Sequence, residues 1–156
     1  MGKKAKAALL VLAAVFVIMQ LFRPEQTNPP ADPAASFEAA AKPSPQGRAI
    51  VERACQDCHS NQTVWPWYSQ IAPASWLVAS DVSEARQHLN FSEWGRLSPE
   101  KRLEALGDIC REVNGGDMPL WQYKILHPAA RLGNGDADTL CLLSVPSRQP
   151  AAGALR

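Results

Sequence analysis

The sequence lacks a strong charge of either sign, and it contains no internal repeat. Its 156 residues carry a net charge of only +1, and the lysines at positions 3, 4 and 6 contribute three of the positive charges. The rest of the chain therefore carries a charge of −2, which offers no basic surface for nucleic acid. Without a repeat, a solenoid or propeller architecture is excluded. The length leaves room for one domain with tails.

Histidine and cysteine are also scarce, with three and four residues, yet three of these seven fall within the five residues Cys-Gln-Asp-Cys-His at positions 55–59. Cys-x-x-Cys-His is the attachment motif of c-type haem. In a helical turn Cys55 and Cys58 share one face, and His59, four residues after Cys55, returns to the same side. Two thioether bonds and one iron ligand can therefore come from a single turn.

Three other interpretations of the motif are weaker. A redox-active Cys-x-x-Cys pair usually lies near a βαβ pattern, which this sequence lacks. A structural zinc site needs a second pair of ligands at comparable spacing, and the remaining cysteines and histidines are scattered. A disulfide between Cys55 and Cys58 leaves His59 unexplained. The motif therefore predicts one covalent haem c per chain, with His59 as an iron ligand.

The chain begins with basic residues followed by an apolar run over residues 7–22, in which only Gln20 is polar. As a helix this run would be about 24 Å long, slightly short of a ~30 Å hydrocarbon core. Arg23-Pro24-Glu25 follows at once, instead of the small-x-small pattern of a cleaved signal peptide. The sequence predicts an uncleaved signal anchor at residues 1–22, a single-pass helix in the bacterial cytoplasmic membrane with the rest of the chain facing the periplasm.

The remaining chain divides into three parts by composition. Residues 23–46 are rich in proline, alanine and small polar residues, which predicts a flexible tether. A haem-binding domain is predicted over residues 47–146, where apolar residues recur at helical spacing. Within it, Ser98-Pro99-Glu100 is typical of a helix start. Residues 147–156 are predicted to be a disordered tail.

A methionine is the best candidate for the second iron ligand. Met118 directly follows a Gly-Gly turn and an aspartate, so a flexible loop can project its side chain toward the open face of the haem. Ligation by methionine and histidine is a recognised arrangement that raises the reduction potential. We therefore predict His59 and Met118 as the two ligands. The alternatives are a buried core methionine, a rival ligand in His88 or His127, and an open position.

Tryptophan and the two remaining cysteines are harder to interpret. Aromatic residues make up only 7% of the chain, but Trp65, Trp67 and Trp76 follow the motif closely and are predicted to shield the haem. Cys110 and Cys141 could pair in an oxidising compartment. They could equally be two buried apolar residues. The sequence leaves this question open.

Several motifs in combination resemble the bacterial haem-binding domain family: Cys55-x-x-Cys58-His59-Ser-Asn, Trp65-Pro-Trp-Tyr, Ile71-Ala-Pro-x-Ser-Trp76, Leu89-Asn-Phe-Ser-x-Trp94, Met118-Pro-Leu and Tyr123-x-x-x-His127-Pro. The resemblance covers about residues 47–140. It implies a small, usually membrane-tethered c-type domain with haem attached to both motif cysteines. The chain departs from the family pattern at Asp81, where many members carry histidine, and at Ala85, where they carry glycine. Because Asp81 takes the place of that histidine, Met118 becomes the stronger candidate for the second iron ligand.

Together these features predict an all-α, cytochrome-c-like small helical domain around a covalent haem, preceded by an N-terminal transmembrane helix. The predicted function is transfer of single electrons to periplasmic or membrane redox proteins, without enzymatic activity and without nucleic acid. The alternatives are a haem-based sensor or peroxidase-like protein with an open sixth coordination position, and a haem-free thiol module. No acid/base pair beside a distal pocket is identifiable from the sequence, which favours electron transfer.

Overall fold

The chain folds into short helices joined by tight turns. A computed structural model describes residues 2–143, in which no strand occurs, so the predicted all-α class is confirmed over this range. The predicted tail 147–156 lies outside the described residues. The α-helices are α1 Lys3–Met19, α2 Phe37–Ala41, α3 Pro45–Ala54, α4 Gln56–His59, α5 Ala74–His88, α6 Pro99–Gly115, α7 Trp121–Leu126 and α8 Asp136–Leu142. The 3-10 helices are Pro33–Ala35, Trp67–Gln70, Phe91–Arg96 and Pro128–Ala130.

The helix that the apolar run forms at the N-terminus is shorter than the predicted anchor. α1 stops at Met19, and the side chain of Gln20 bonds to both the N–H and the C=O of Ala72, at 2.9 and 3.2 Å. The helical part of the run is then about 20 Å long, well below a ~30 Å hydrocarbon core. Within residues 2–143 no helix is long and apolar enough to cross a membrane. The predicted transmembrane helix is therefore wrong, and so is the single-pass, periplasm-facing placement that rested on it.

The proline-rich segment, predicted to be a flexible tether, contains two short helices within residues 33–41. Ser36 caps α2 by accepting a hydrogen bond from the N–H of Ala39. Phe37 is only 3% exposed and packs edge-on against Phe91 and Trp94, with ring centroids 5.1 and 4.8 Å away. One buried aromatic ring supplies enough apolar contact to hold a short helix on the core.

The core lies where α2, α3, α8 and the 91–96 helix meet. Its buried apolar members are Phe37, Ile50, Val51, Phe91, Trp94 and Leu140. Arg53, near the end of α3, donates to the carbonyl groups of Ala129 and Arg131 at 2.7 and 3.0 Å, and it pairs with Asp136. These bonds tie the C-terminal helices to the end of α3, which leads directly into the Cys-x-x-Cys-His segment.

α6 has the predicted start and ends at a glycine, and a disulfide joins it to α8. Ser98 Oγ accepts a hydrogen bond from the N–H of Lys101, and Gly116 ends the helix with φ at 81°. Cys110 in α6 is bonded to Cys141 in α8, which answers the question that the sequence left open. A cross-link of this kind, which closes a loop of 31 residues, stabilises a fold mainly by restricting the unfolded chain, here by about 4 kcal/mol.

Gly95 provides a test of the packing between the 91–96 helix and the folded part of the proline-rich segment. A Cβ at this position would lie 2.8 Å from Cα and 3.1 Å from O of Ala35. Because the obstacle is backbone, Gly95→Ala must displace residues 33–35, and we expect the free energy of unfolding to fall by about 1–3 kcal/mol. Chemical denaturation measures this change.

Gly107→Ala is the matched control for Gly95→Ala. Gly107 lies inside α6 with nothing within 4 Å of the added Cβ. Its replacement should raise stability by about 0.5–1 kcal/mol, because alanine favours the helix. Effects of the same sign and size at the two glycines would contradict the close contact.

Candidate functional site

The Cys-x-x-Cys-His segment forms a tight helical turn between α3 and α5. The N–H groups of Cys58 and His59 both donate to the carbonyl of Cys55, at 3.2 and 2.9 Å. All three side chains line one cavity. The two thiols are free and partly buried. The turn thus has the geometry that the spacing predicts, with both sulphur atoms and the imidazole at a single surface.

The cavity beside this turn has a volume of about 740 Å³. Such a volume lies within the range of roughly 300–1,000 Å³ that is usual for cofactor and ligand sites. Apolar side chains from α5, α6 and the 118–126 segment form much of its wall, among them Leu77, Val78, Val82, Ala85, Ile109, Val113, Leu120 and Leu126. The size and the apolar wall fit a large, flat, mostly apolar cofactor.

His59 is held in the orientation that a metal ligand needs. Its Nδ1 lies 3.0 Å from the carbonyl oxygen of Leu89. A carbonyl can only accept, so this contact assigns the ring proton to Nδ1 and leaves the lone pair on Nε2. Histidines that bind metals usually donate their other N–H in this way. Burial lowers the pKa of His59, which favours the neutral ring that ligation requires.

The motif thiols are protonated at neutral pH. Burial raises the pKa of Cys55 to about 12 and that of Cys58 to about 11. Negative charge nearby adds to both shifts, from Cys58 in the first case and from Asp57 in the second. Since the thiolate is the reactive form, the folded site protects both thiols from oxidation and exchange.

Met118 reaches the same cavity from the segment between α6 and α7. The chain turns through Gly116, and the N–H groups of Asp117 and Met118 donate to the carbonyl of Glu112 at 3.1 and 3.3 Å. The methionine side chain is half-buried and lines the cavity together with His59. The two predicted iron ligands therefore share one cavity, and their ligation of iron stays a prediction.

The other two histidines also line the cavity, in less suitable states. Nε2 of His127 lies 2.8 Å from the hydroxyl of Tyr68, so this nitrogen is already engaged. The His127 ring stacks on Tyr123 with centroids 4.1 Å apart. His88 is exposed at the cavity edge. Neither arrangement favours a rival ligand over Met118.

The cavity wall includes two residues to which the sequence gave no role. The hydroxyl of Tyr123 donates to Oδ2 of Asp57 at 2.7 Å, across 66 residues of chain. Burial, followed by the bond to Asp57, raises the pKa of Tyr123, so this hydroxyl stays protonated. Two features of the sequence point to these residues. Asp57 lies inside the attachment motif, and Tyr123 and His127 have the i, i+4 spacing that brings two side chains together in a helix.

The three tryptophans predicted to shield the haem lie outside the cavity wall. Nε1 of Trp65 donates to Oδ1 of Asn28 at 3.2 Å, and Nε1 of Trp76 donates to the carbonyl of Phe22. Trp67 is 74% exposed. These rings are directed toward residues 22–28 and solvent, and their shielding role stays a prediction.

The two departures from the family pattern occur in the cavity wall itself. Asp81 and Ala85 both line the cavity from α5. Burial raises the pKa of Asp81, while a hydrogen bond from Gln122 opposes that shift. A carboxyl group thus occupies the wall position where the resemblance to the family implies an imidazole in many members.

Comparison with known proteins assigns the family. The family model of the haem-binding domain matches residues 14–142. The chain belongs to the haem-binding domain family. No curated protein and no solved structure gives a significant match. Family membership thus supports haem as the cofactor of this haem-binding domain, and the cavity fits it in volume, wall and donor groups.

The residues of this haem-binding domain are less suited to a bare metal ion. Within residues 2–143 no group of three or more histidine, cysteine, aspartate or glutamate side chains is arranged to hold one. Haem iron does not require such a group, because the porphyrin supplies the equatorial ligands and the protein only the axial ones. The donors in the cavity therefore match haem better than a zinc site.

Thiol reactivity in the haem-free protein tests the electrostatics of the site. Relative to the ordinary value of 9.0, the raised pKa values lower the thiolate fraction near pH 8 by about a thousandfold for Cys55 and about a hundredfold for Cys58. We expect iodoacetamide to modify Cys58 first, at a rate that rises with pH to about pH 11. Peptide mass spectrometry measures both rates.

The urea-unfolded chain is the control for this reactivity, because burial is lost there. Its thiols should react at ordinary rates, far faster than in the folded protein. Equal rates in the folded and unfolded chains would contradict the burial of the thiols.

Proposed function

We propose that this haem-binding domain is a mono-haem c-type cytochrome that transfers single electrons. The observation that carries the proposal is the set of donors in one cavity of about 740 Å³: two free thiols, a neutral imidazole and a thioether. Cys55 and Cys58 would attach the haem covalently, and His59 and Met118 would be the axial ligands. Bound haem supplies reversible one-electron chemistry at its iron.

The ligand set favours electron transfer over catalysis. Methionine with histidine raises the reduction potential, and two protein ligands that stay in place in both oxidation states keep structural change small. The hydrogen bond between His59 and Leu89 holds one of these ligands in orientation. The apolar residues that α5 and α6 contribute to the cavity wall lower the polarity around the site, which affects the potential.

The disulfide supports surroundings in which the thiols of this protein are not kept reduced. Bonds such as Cys110–Cys141 persist where thiols are not kept reduced. The partners we propose are redox proteins of the same compartment, which would exchange electrons with the haem.

A second candidate function is a sensor or peroxidase-like protein whose sixth position exchanges ligands. One observation favours it: a carboxyl with a raised pKa, Asp81, lines the cavity together with His88. Groups that can hold or release a proton beside the iron are typical of such sites. Binding of carbon monoxide by the reduced wild-type protein would favour this function over electron transfer.

Covalent attachment is tested by extraction with acidified acetone. In the wild-type protein, matured with the c-type attachment apparatus, we expect the haem colour to stay with the chain, because both thioether bonds resist acid. The variant with Cys55→Ser and Cys58→Ser should release all of its haem. Absorbance of the protein fraction measures the outcome.

The matched control removes the other two cysteines. Cys110→Ser with Cys141→Ser breaks the disulfide but leaves the motif intact, so its haem should remain attached. Complete extraction of haem from the wild-type protein would contradict covalent attachment and, with it, the proposal of a c-type cytochrome.

The methionine ligand is tested with Met118→Ala. We expect loss of the near-infrared methionine-to-iron charge-transfer band, a reduction potential lower by on the order of 100 mV, and binding of carbon monoxide by the reduced protein. Spectroelectrochemistry measures the band and the potential together. His88→Gln, a change at an exposed residue of the cavity edge, should leave all three unchanged. An unaltered spectrum in Met118→Ala would remove Met118 from the site.

A further inference from the structure

α7 is the helix that follows the Met118 segment. Side chains, rather than helix packing, hold it against the Cys-x-x-Cys-His turn at residues 55–59, which we call the attachment turn. Among the described helices, its backbone makes extensive contact only with the 128–130 helix directly after it. Trp121 and Ile125 of α7, which lie outside the cavity wall, are both more than half exposed. With so little apolar burial, α7 would open easily unless polar contacts held it in place.

Besides the bond from Gln122 to Asp81, two hydrogen bonds supply such contacts, and a ring stack orders the two side chains that make them on the side of α7. Tyr123 donates to the carboxylate of Asp57 at 2.7 Å, and Tyr68 bonds to Nε2 of His127 at 2.8 Å. The rings of Tyr123 and His127 stack at 4.1 Å with an angle of 12° between them. We call these four residues the clasp. The clasp joins α7 to α4 and to the 67–70 helix, and all four of its side chains line the cavity.

The clasp acts on both ends of the proposed iron ligation. Asp57 lies between the two motif cysteines in the chain, so one bond of the clasp is made by the attachment turn itself. At the other end, α7 begins three residues after Met118, and the intervening Pro119 is buried. Proline restricts the backbone, so little slack separates the methionine from the helix. A displacement of α7 would therefore displace Met118.

We propose that the clasp holds Met118 in position to bind iron, with Tyr123 and His127 as positioning residues. The inference rests on the proposed ligation by His59 and Met118. The bond from Tyr123 to Asp57 contributes more to holding α7 than the bond between Tyr68 and His127. The reason is that a hydrogen bond to an ionised carboxylate is stronger than one between neutral groups. Loss of this bond should raise the fraction of molecules with Met118 off the iron about tenfold.

The test uses the haem-loaded protein and changes that remove single atoms or groups of the clasp. Tyr123→Phe removes the hydroxyl and keeps the ring stack, and Asp57→Ala removes the acceptor. In both we expect a weaker methionine-to-iron band and about tenfold more of the reduced protein binding carbon monoxide. Asp57→Asn keeps an acceptor oxygen but loses the charge, so both readouts should fall between those of the wild-type protein and Asp57→Ala. Trp121→Phe, on the exposed face of the same helix, should change neither readout.

The double variant, Asp57→Ala with Tyr123→Phe, tests whether the two residues act as a pair. Both changes remove the same bond, so the double variant should bind carbon monoxide no more than the stronger single variant. Multiplied effects would overturn the pairing. Should Asp57→Ala fail to load haem, Tyr123→Phe and Asp57→Asn still decide the question, because both conserve the shape of the site.

The outcomes separate this inference from the proposed function. A wild-type protein without the methionine-to-iron band would overturn the proposed ligation, and the clasp with it. A wild-type protein with the band, together with Tyr123→Phe and Asp57→Ala variants that keep the full band and the wild-type response to carbon monoxide, would overturn the clasp alone.

Discussion

The hydrogen bond from Nδ1 of His59 to the carbonyl of Leu89 is the contact on which the proposed site depends. It joins the attachment turn to the end of α5 at 3.0 Å and determines which ring nitrogen is free for iron. The ring of Phe91 stands 6.2 Å from the His59 ring and is itself packed against Phe37. The core therefore supports His59 through two aromatic rings, and a loss of packing in the N-terminal segment would disturb the proposed ligand.

Features of the site that depend on neighbours in the chain could be predicted, because local geometry determines them. The turn at residues 55–59, the helix start at Ser98 and the end of α6 at Gly116 each follow from spacing or backbone preference within a few residues. The clasp could not be predicted, since its bonds join residues 66 and 59 positions apart. The periodicity of the sequence does not show which tyrosine will bond to which carboxylate on the opposite side of a cavity.

The errors at the N-terminus have a common physical cause. Composition measures how apolar or proline-rich a segment is, but not what it contacts after folding. The apolar helix ends at Gln20, because the amide of this side chain forms hydrogen bonds with both backbone groups of Ala72. The segment around Phe37 is helical because the Phe37 ring packs against the core. Each residue was the exception within its segment, the one polar side chain in an apolar run and the one aromatic ring in a polar segment. Such exceptions indicate tertiary contact more reliably than the average of the segment.

Two constraints of different chemistry act on the chain around Met118. On the side of α6, the bond between Cys110 and Cys141 ties the helix covalently to α8, eight residues before the methionine. On the side of α7, the ties are hydrogen bonds to Asp57, Tyr68 and Asp81, which exchange with water far more readily than a disulfide breaks. If Met118 leaves the iron, the motion should therefore start at α7, because a segment opens first where its attachment is weaker. The polar side of the cavity, rather than the disulfide side, then sets how firmly the sixth ligand is held.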